Sequence, residues 1–210
     1  MKLRSTLGSM LACGLLVSVF GWSPGCTTSA DKDGDWFAGG AELPPSEDTL
    51  RMTARILAAK GEYAKAGNAV DRMIAEHPRN PSSYTEGAEI LLQQGRVLDA
   101  IQLLDLGLER LPGNPVLLND RGLCRLLEAD LPGATIDFAA ALDVDPRDAD
   151  YVANMALVLA LAGDEEASRS LWSRVLPPDA VESNLKLARE ARARFSSVEA
   201  GHPTTVEIDG

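Results

Sequence analysis

The amino-acid sequence predicts an all-α fold in which pairs of helices stack into a solenoid. Three observations predict it: a 34-residue period, small residues at fixed positions in each period, and prolines near its end. The four periods begin at Glu47, Pro81, Pro115 and Ala149. Four units in register without a gap indicate a repeat architecture, in which each unit buries its apolar face against its neighbours.

Small and large residues recur at matching positions of the four units. The eighth residues are Ala54, Ala88, Gly122 and Ala156, the twentieth are Ala66, Ala100, Ala134 and Ser168, and the twenty-fourth are Val70, Leu104, Phe138 and Trp172. Small residues allow two helices to approach closely, and large ones fill the space between neighbouring units. All twelve positions are therefore predicted to be buried.

The helix ends carry their own signals. The fifteenth residues, which separate the first helix of each unit from the second, are Gly61, Gly95, Ala129 and Gly163. Asn80 and Asn114 each precede a proline that begins the next helix, a favourable capping arrangement, and Ser46 precedes the first helix. We predict helices over residues 47–60, 62–77, 81–94, 97–111, 115–128, 131–144, 149–162 and 164–176. An amphipathic helix over 179–195 is expected to cap the end of the stack.

This pattern resembles the tetratricopeptide repeat family, most closely in the third unit, where the segment ADLPGATIDFAAALDVDP is similar to the family's second helix. The resemblance implies a right-handed solenoid of four helix-turn-helix repeats with a C-terminal capping helix, within a domain over residues 46–195. The repeats would span about 47–80, 81–114, 115–148 and 149–182. The chain departs from the family at the seventh position, where Thr53, Gly87, Arg121 and Met155 replace the usual leucine.

The N-terminal residues 1–25 are predicted to be an export signal, because basic residues precede an apolar run over 7–20. That run is shorter than the ~20 residues of a typical membrane-spanning helix. The stretch that ends at Cys26 resembles the lipobox of bacterial lipoproteins, which implies lipidation of Cys26. Ordinary cleavage with an unmodified cysteine is the alternative. We expect residues 26–45 to be the lipidated cysteine with a flexible tether, and 196–210 to be a disordered tail.

The charge balance excludes some classes of partner. The chain carries a formal net charge of −11, and without residues 1–25 its 18 basic residues would face 31 acidic ones, a net charge of −13. So acidic a chain is not expected to bind nucleic acid or to adhere directly to anionic lipid head groups. The balance favours a partner with a basic surface.

Catalysis, metals and cofactors find no support in the residue pattern. The only histidines are His77 and His202, and the sequence contains none of the common hydrolase, phosphate-loop or Cys/His metal motifs. We therefore expect neither an enzyme nor a bound metal or cofactor. Cys124 is the tenth residue of the third unit, where the resemblance to the tetratricopeptide family implies a small buried residue, so we expect a buried, unreactive thiol.

In the tetratricopeptide family the first helices of the repeats form a concave, partner-binding surface. The resemblance places Arg51, Arg55, Glu86 and Glu89 on this surface in the first two repeats. It places Asn119, Asp120, Leu123, Leu127, Asn154, Leu157 and Leu161 there in the last two. Such a groove would hold the apolar face of a helix or an extended peptide, with the two asparagines bonding to its backbone. The open alternative is that some of the leucines pack between helices or beneath the capping helix.

The order of signal, cysteine, tether and repeats resembles small pilus-biogenesis lipoproteins of the TadD and PilF/PilW type. The resemblance implies a non-catalytic scaffold, anchored by its lipid to the outer membrane and facing the periplasm, because Thr27 follows Cys26 where the inner-membrane signal would be an aspartate. Its partner would be a segment of a secretin or of a pilus subunit. Three alternatives stay open: an adaptor for cell-wall enzymes or outer-membrane assembly, a regulatory subunit of an envelope protease or hydrolase, and a soluble periplasmic form.

Overall fold

The computed structural model of the chain describes residues 45–200, with side chains through residue 194. Every regular element in that range is an α-helix. The helices are α1 (Glu47–Ala59), α2 (Tyr63–Glu76), α3 (Pro81–Gln93), α4 (Val97–Arg110), α5 (Pro115–Leu127), α6 (Leu131–Val144), α7 (Ala149–Ala162), α8 (Glu165–Trp172) and α9 (Pro178–Ala200). The predicted all-α solenoid is confirmed, and the bounds of the first seven helices agree with prediction to within one residue.

The last two helices differ from the prediction. Helix α8 ends at Trp172, four residues early, because the chain tightens into a turn in which Val175 and Leu176 both donate to the carbonyl of Trp172. Two prolines follow directly and disfavour the α conformation at the residues before them. Helix α9 continues to Ala200, so residues 196–200, which were assigned to the disordered tail, are helical.

Several predictions lie outside the described residues: the signal over 1–25, lipidation at Cys26, the tether as far as residue 44, and the tail over 201–210. In the part of the chain that the structure covers, no helix combines the length and the apolar character that a membrane crossing requires.

The repeat pattern is borne out by burial. All twelve residues at the eighth, twentieth and twenty-fourth positions are buried. The helices of each pair pack on each other, as α1 with α2 and so on to α7 with α8, and α9 packs on both α7 and α8. The buried small residues lie at these helix interfaces, as the spacing predicts.

The stack is curved because its two layers of helices pack differently. The first helices contact one another across repeats, α1 with α3, α3 with α5, and α5 with α7. Among the described residues, no such contact joins α2 to α4, α4 to α6 or α6 to α8. The first helices therefore form the inner, concave face, and the second helices spread apart on the outer face.

The predicted helix caps are present. The Oδ1 atom of Asn80 accepts from the backbone N–H of Ser82 at 3.0 Å, and Asn114 Oδ1 accepts from that of Leu117 at 3.1 Å. Ser46 caps α1 in the same way, with Oγ 3.3 Å from the backbone nitrogen of Thr49. Each side chain satisfies one of the N–H groups that the first turn of a helix leaves unbonded.

Candidate partner-binding groove

Two clefts open on the side of the first helices. The first has a volume of about 350 Å³, lies across α1, α3 and α5, and includes Arg55, Glu86, Glu89, Leu92, Asp120 and Leu123 in its lining. We call it the acidic cleft, since three carboxylates face one guanidinium. The second has a volume of about 410 Å³, lies between α7 and α9, and includes Asn154, Leu157, Leu161, Trp172, Asn184 and Leu187. We call it the apolar cleft.

Glu86 fixes the position of Arg55 and is not available to a partner. It is 3% exposed, and both of its carboxylate oxygens accept from Arg55 Nε, at 3.0 and 2.8 Å. Burial raises the pKa of Glu86, and the bond to Arg55 opposes that rise. The Nη2 atom of Arg55 also lies 3.9 Å from Glu89. The sequence placed Glu86 on the open groove surface, but the structure uses it to join α1 to α3.

Arg51 is further from the centre of the groove. Its Nη2 atom donates to Asp48 at 2.5 Å, one turn earlier on α1, and both side chains are at the surface. Such an exposed pair within one helix contributes little stability. Arg51 therefore belongs to the rim of the groove.

Asp120 is the polar group of the acidic cleft that most lacks a counter-charge. Burial raises its pKa to about 6, a hydrogen bond from Asn119 lowers it, and the negative charge of Glu89 raises it again. Within residues 45–194 Asp120 forms no ion pair. A positive charge brought beside Asp120 and Glu89 would relieve this desolvation and repulsion.

The two asparagines of the groove bind each other. The Nδ2 atom of Asn154 donates to Asn119 Oδ1 at 2.8 Å, which connects α7 to α5. Asn119 is 8% exposed. Its carbonyl is therefore engaged within the protein, which corrects the expectation that it bonds to a ligand backbone. Asn154 also lines the apolar cleft, where its own carbonyl oxygen accepts no hydrogen bond from the described residues.

The leucines do not form one continuous wall. Leu123 is half-buried against the cluster of Phe138 and Val158. Leu157 and Leu161 pack with the buried cluster that joins α7 to α9 and also line the apolar cleft. Leu127, by contrast, is 64% exposed at the end of α5. The alternative that some leucines lie beneath the capping helix is correct for Leu157 and Leu161.

Helix α9 supplies the second wall of the apolar cleft, and two kinds of contact hold it there. Val181, Leu185 and Ala188 are buried against α7 and α8. The carboxylate of Glu165 accepts from Arg189 at 2.8–3.0 Å and from Arg192 at 2.7 Å, and these bonds lower the pKa of Glu165.

Sequence reasoning missed the α9 residues Asn184 and Leu187 as groove residues. Their amphipathic pattern indicated a packed helix but not the angle at which it packs. Only the docked position of α9 shows that Leu187 stays 62% exposed beside the cleft.

Among residues 45–194 no three His, Cys, Asp or Glu side chains are grouped so that they could hold a metal ion. Cys124 is 1% exposed, and burial raises the pKa of its thiol to about 11. The prediction of a buried thiol is confirmed, and such a group is mostly protonated and unreactive at neutral pH.

Comparison with known proteins agrees with this geometry. Residues 51–115 match the tetratricopeptide repeat family model. No curated protein matches the chain.

Three solved structures share its fold at 17% identity. A thermophilic tetratricopeptide repeat protein of Thermus thermophilus has a TM-score of 0.58, over 70% of this chain and 83% of its own. The pilF protein of Pseudomonas aeruginosa has 0.56 over 77% and 78%. A tetratricopeptide repeat protein of Parabacteroides merdae has 0.56 over 75% and 67%. The described residues thus have the fold of stacked tetratricopeptide helix pairs, and the first two repeats carry the sequence pattern of that family.

Proposed function

We propose that the chain is a non-catalytic scaffold that holds a segment of a partner protein along its concave groove. One observation carries the proposal: Asp120, partly buried and without an ion pair in the described structure, lies on the same concave side as the apolar cleft between α7 and α9. A solenoid that presents a charged and an apolar cleft on one side is suited to recognising an elongated segment.

The clefts specify what the segment should contain. A lysine or arginine would lie beside Asp120, which lacks a counter-charge and is further disfavoured as an anion by the negative charge of Glu89. Apolar side chains would lie on Leu157, Leu161 and Leu187. The net charge of −11 would also attract a basic partner over a distance and raise its association rate.

In this proposal the scaffold is attached to the outer membrane by lipid on Cys26 and acts in the assembly of a pilus or a secretion system. Its partner is a secretin or a pilus subunit. The support is the order of signal, cysteine, tether and repeats in the sequence. An adaptor for cell-wall enzymes or outer-membrane assembly, and a regulatory subunit of an envelope hydrolase, remain as outcomes of the test.

The groove is tested by cross-linking in the native cell envelope, capture of the chain and mass spectrometry. The groove variants are Asp120→Lys and Leu187→Lys, which reverse the charge of one cleft and disrupt the apolar surface of the other. Leu98→Lys on α4 is the matched control for Leu187, since both leucines are 62% exposed. Asp143→Lys, at an exposed position of α6, is the control for Asp120.

A specific partner should be lost from both groove variants and kept by both controls. The identity of that partner separates pilus assembly from envelope maintenance. If both groove variants captured the same proteins as the unmodified chain, the concave groove would not be the binding site.

The lipid anchor has a separate test. Cys26→Ser should abolish acyl labelling and release the chain from the membrane fraction, because stable anchoring depends on the acyl chains. Unchanged membrane association and labelling would rule out the anchor without affecting the groove.

A further inference from the structure

A third cleft lies on the outer face of the stack, away from the concave groove. Its volume is about 480 Å³, and it opens between α2 and α4, which do not contact each other, above the C-terminal half of α3. Gly87 contributes to its floor. A Cβ atom at residue 87 would lie 2.5 Å from Leu103 Cδ2 and 2.8 Å from Val70 Cγ1, so these side chains lean over the bare backbone.

The next repeat shows how the equivalent place is filled. Four residues of the cleft are Asp71, Gly87, Leu91 and Leu103, and the residues one period of 34 later are Asp105, Arg121, Arg125 and Asp137. These four later residues form one ion network. Arg121 donates to Asp137 at 2.6 and 2.9 Å and to Asp105 at 2.6 Å, and Arg125 Nη1 lies 2.9 Å from Asp137.

The network is a packed feature of the fold, since Asp137 is 1% exposed. The hydrogen bonds from Arg121 to Asp137 raise the pKa of the Arg121 guanidinium above its ordinary value. The central member is Arg121, whose guanidinium reaches a carboxylate on the preceding repeat and another on its own.

The junction between the third and fourth repeats is filled in a different way from the first two. One period further on, the four residues are Ala139, Met155, Leu159 and Leu171. Here both carboxylates and both arginines are absent, and Met155 fills the place as part of an apolar cluster. Between the second and third repeats, the acids and the arginines therefore occur together. Between the third and fourth repeats, both are absent.

Of these three junctions, only the one between the first and second repeats has an acid, Asp71, without an arginine at the position that corresponds to Arg121. Asp71 is exposed at the edge of the outer cleft and forms no ion pair with any described residue. Arg96 also lines the cleft, but its Nε atom donates to Asp99 at 2.6 Å. The floor beside Asp71 is apolar, with Leu91 and Leu103 in place of the second arginine and the second acid.

We propose that the outer cleft receives an arginine side chain from a partner protein, and that its guanidinium lies where the Arg121 guanidinium lies one repeat later. The methylene groups of that arginine would pack on Leu91 and Leu103, and its guanidinium would donate to Asp71. Arginine suits this combination because its stem is apolar while its planar head forms strong, charge-assisted bonds to a carboxylate. The site is independent of the concave groove.

The test uses the full chain in detergent and three blocked tripeptides that differ at one residue: Gly-Arg-Gly, its lysine analogue and its uncharged citrulline analogue. Binding is followed by the amide NMR signals of residues 71, 87 and 91. The arginine peptide should shift these signals and bind about 10-fold more tightly than the citrulline analogue, which lacks the charge. It should also bind more tightly than the lysine analogue, whose ammonium lacks the planar, forked donor geometry of a guanidinium. Asp71→Asn should weaken it by a similar factor, and Asp143→Asn should leave it unchanged.

A double variant, G87R with L103D, tests the equivalence between repeats. It introduces into the first junction the arginine and acid that Arg121 and Asp137 supply in the second, and replacement of Leu103 removes the nearest obstacle to a side chain at residue 87. The variant should keep its helicity and no longer bind the arginine peptide.

The proposal is overturned if the unmodified chain shows no shift at millimolar peptide, if the analogues bind equally well, or if Asp71→Asn has no effect. The Asp71 comparison stands even if the double variant fails to fold.

Discussion

Gly122 lies directly against the ring of Phe138, so that a Cβ atom on residue 122 would come within 2.6 Å of Phe138 Cε1. Both residues are buried, and they join the first helix of the third repeat to the second. The other repeats pair Ala54, Ala88 and Ala156 with smaller or differently shaped partners. The ring of Phe138 therefore fits because residue 122 is a glycine and carries no Cβ atom.

Gly122→Ala should lower the free energy of unfolding by about 1–3 kcal/mol, because the ring of Phe138 cannot move without disturbing a filled core. Denaturant unfolding measures the effect. Gly67→Ala is the control, since α2 has nothing within 4 Å of a Cβ at that position. That change should stabilise the protein by about 0.5–1 kcal/mol through helix propensity. Equal effects at the two glycines would contradict the packing described for Phe138.

Ala129→Gly should stabilise the protein. Ala129 has a φ of 60°, whereas the same position of the other repeats holds glycines with φ of 75°, 72° and 100°. An L-residue in this left-handed region costs about 1 kcal/mol more than glycine, part of which is offset by the greater freedom of glycine in the unfolded chain. A thermal or denaturant melt should show a gain of up to about 1 kcal/mol. Gly95→Ala should show a loss of similar size, and a loss from Ala129→Gly would refute the argument.

Ser168→Ala should also be stabilising. Ser168 is fully buried, and its hydroxyl has no hydrogen-bond partner among the residues that the structure describes. The other repeats have a fully buried alanine at this position, so the smaller side chain fits. Removing an unsatisfied hydroxyl should raise the free energy of unfolding by about 1 kcal/mol. The reverse exchange, Ala134→Ser, should lower it; destabilisation by Ser168→Ala would mean that the hydroxyl is in fact satisfied.

Asp120 should make stability depend on pH. Its pKa in the folded chain is about 6, above the ordinary value of 3.8, so the folded state binds the proton more tightly than the unfolded state does. The contribution of Asp120 to stability is therefore greatest below about pH 4 and is lost as the pH rises to about 6. Asp120→Asn should match the unmodified chain at pH 3.5 and exceed its free energy of unfolding by about 3 kcal/mol at pH 7.

Unfolding of both chains across this pH range provides the measurement for Asp120, and the difference between them isolates its carboxyl group from all others. A difference that stays constant between pH 4 and pH 7 would show that the environment of Asp120 does not perturb its ionisation. A basic peptide in the acidic cleft should reduce the difference at pH 7, since it supplies the missing charge.

The sequence predicted the local structure closely because the relevant signals are local. Asn80 and Asn114 cap the helices that follow them, since a cap involves only residues two or three positions away. The burial of Cys124 followed from its repeat position together with the resemblance to the tetratricopeptide family. The end of α8 was predicted less well, because a tight turn before two consecutive prolines leaves little trace in helical periodicity.

The site was predicted only in outline. Glu86 and Asn119 were placed on the groove surface by their repeat positions, yet each is bonded to the neighbouring repeat, 31 and 35 residues away in the chain. The same spacing that aligns the repeats says nothing about which polar side chains bond across their junctions.

The sequence by itself determined the class of fold, the number of repeats and the bounds of the first seven helices, because periodicity, caps and prolines act over a few residues. The tertiary structure decided which groove residues remain available. It paired Arg55 with Glu86, left Asp120 without a counter-charge, and laid α9 beside Leu157 and Leu161. The physical reason is that burial and charge pairing depend on the angle and distance between helices, which arise when all the repeats pack together.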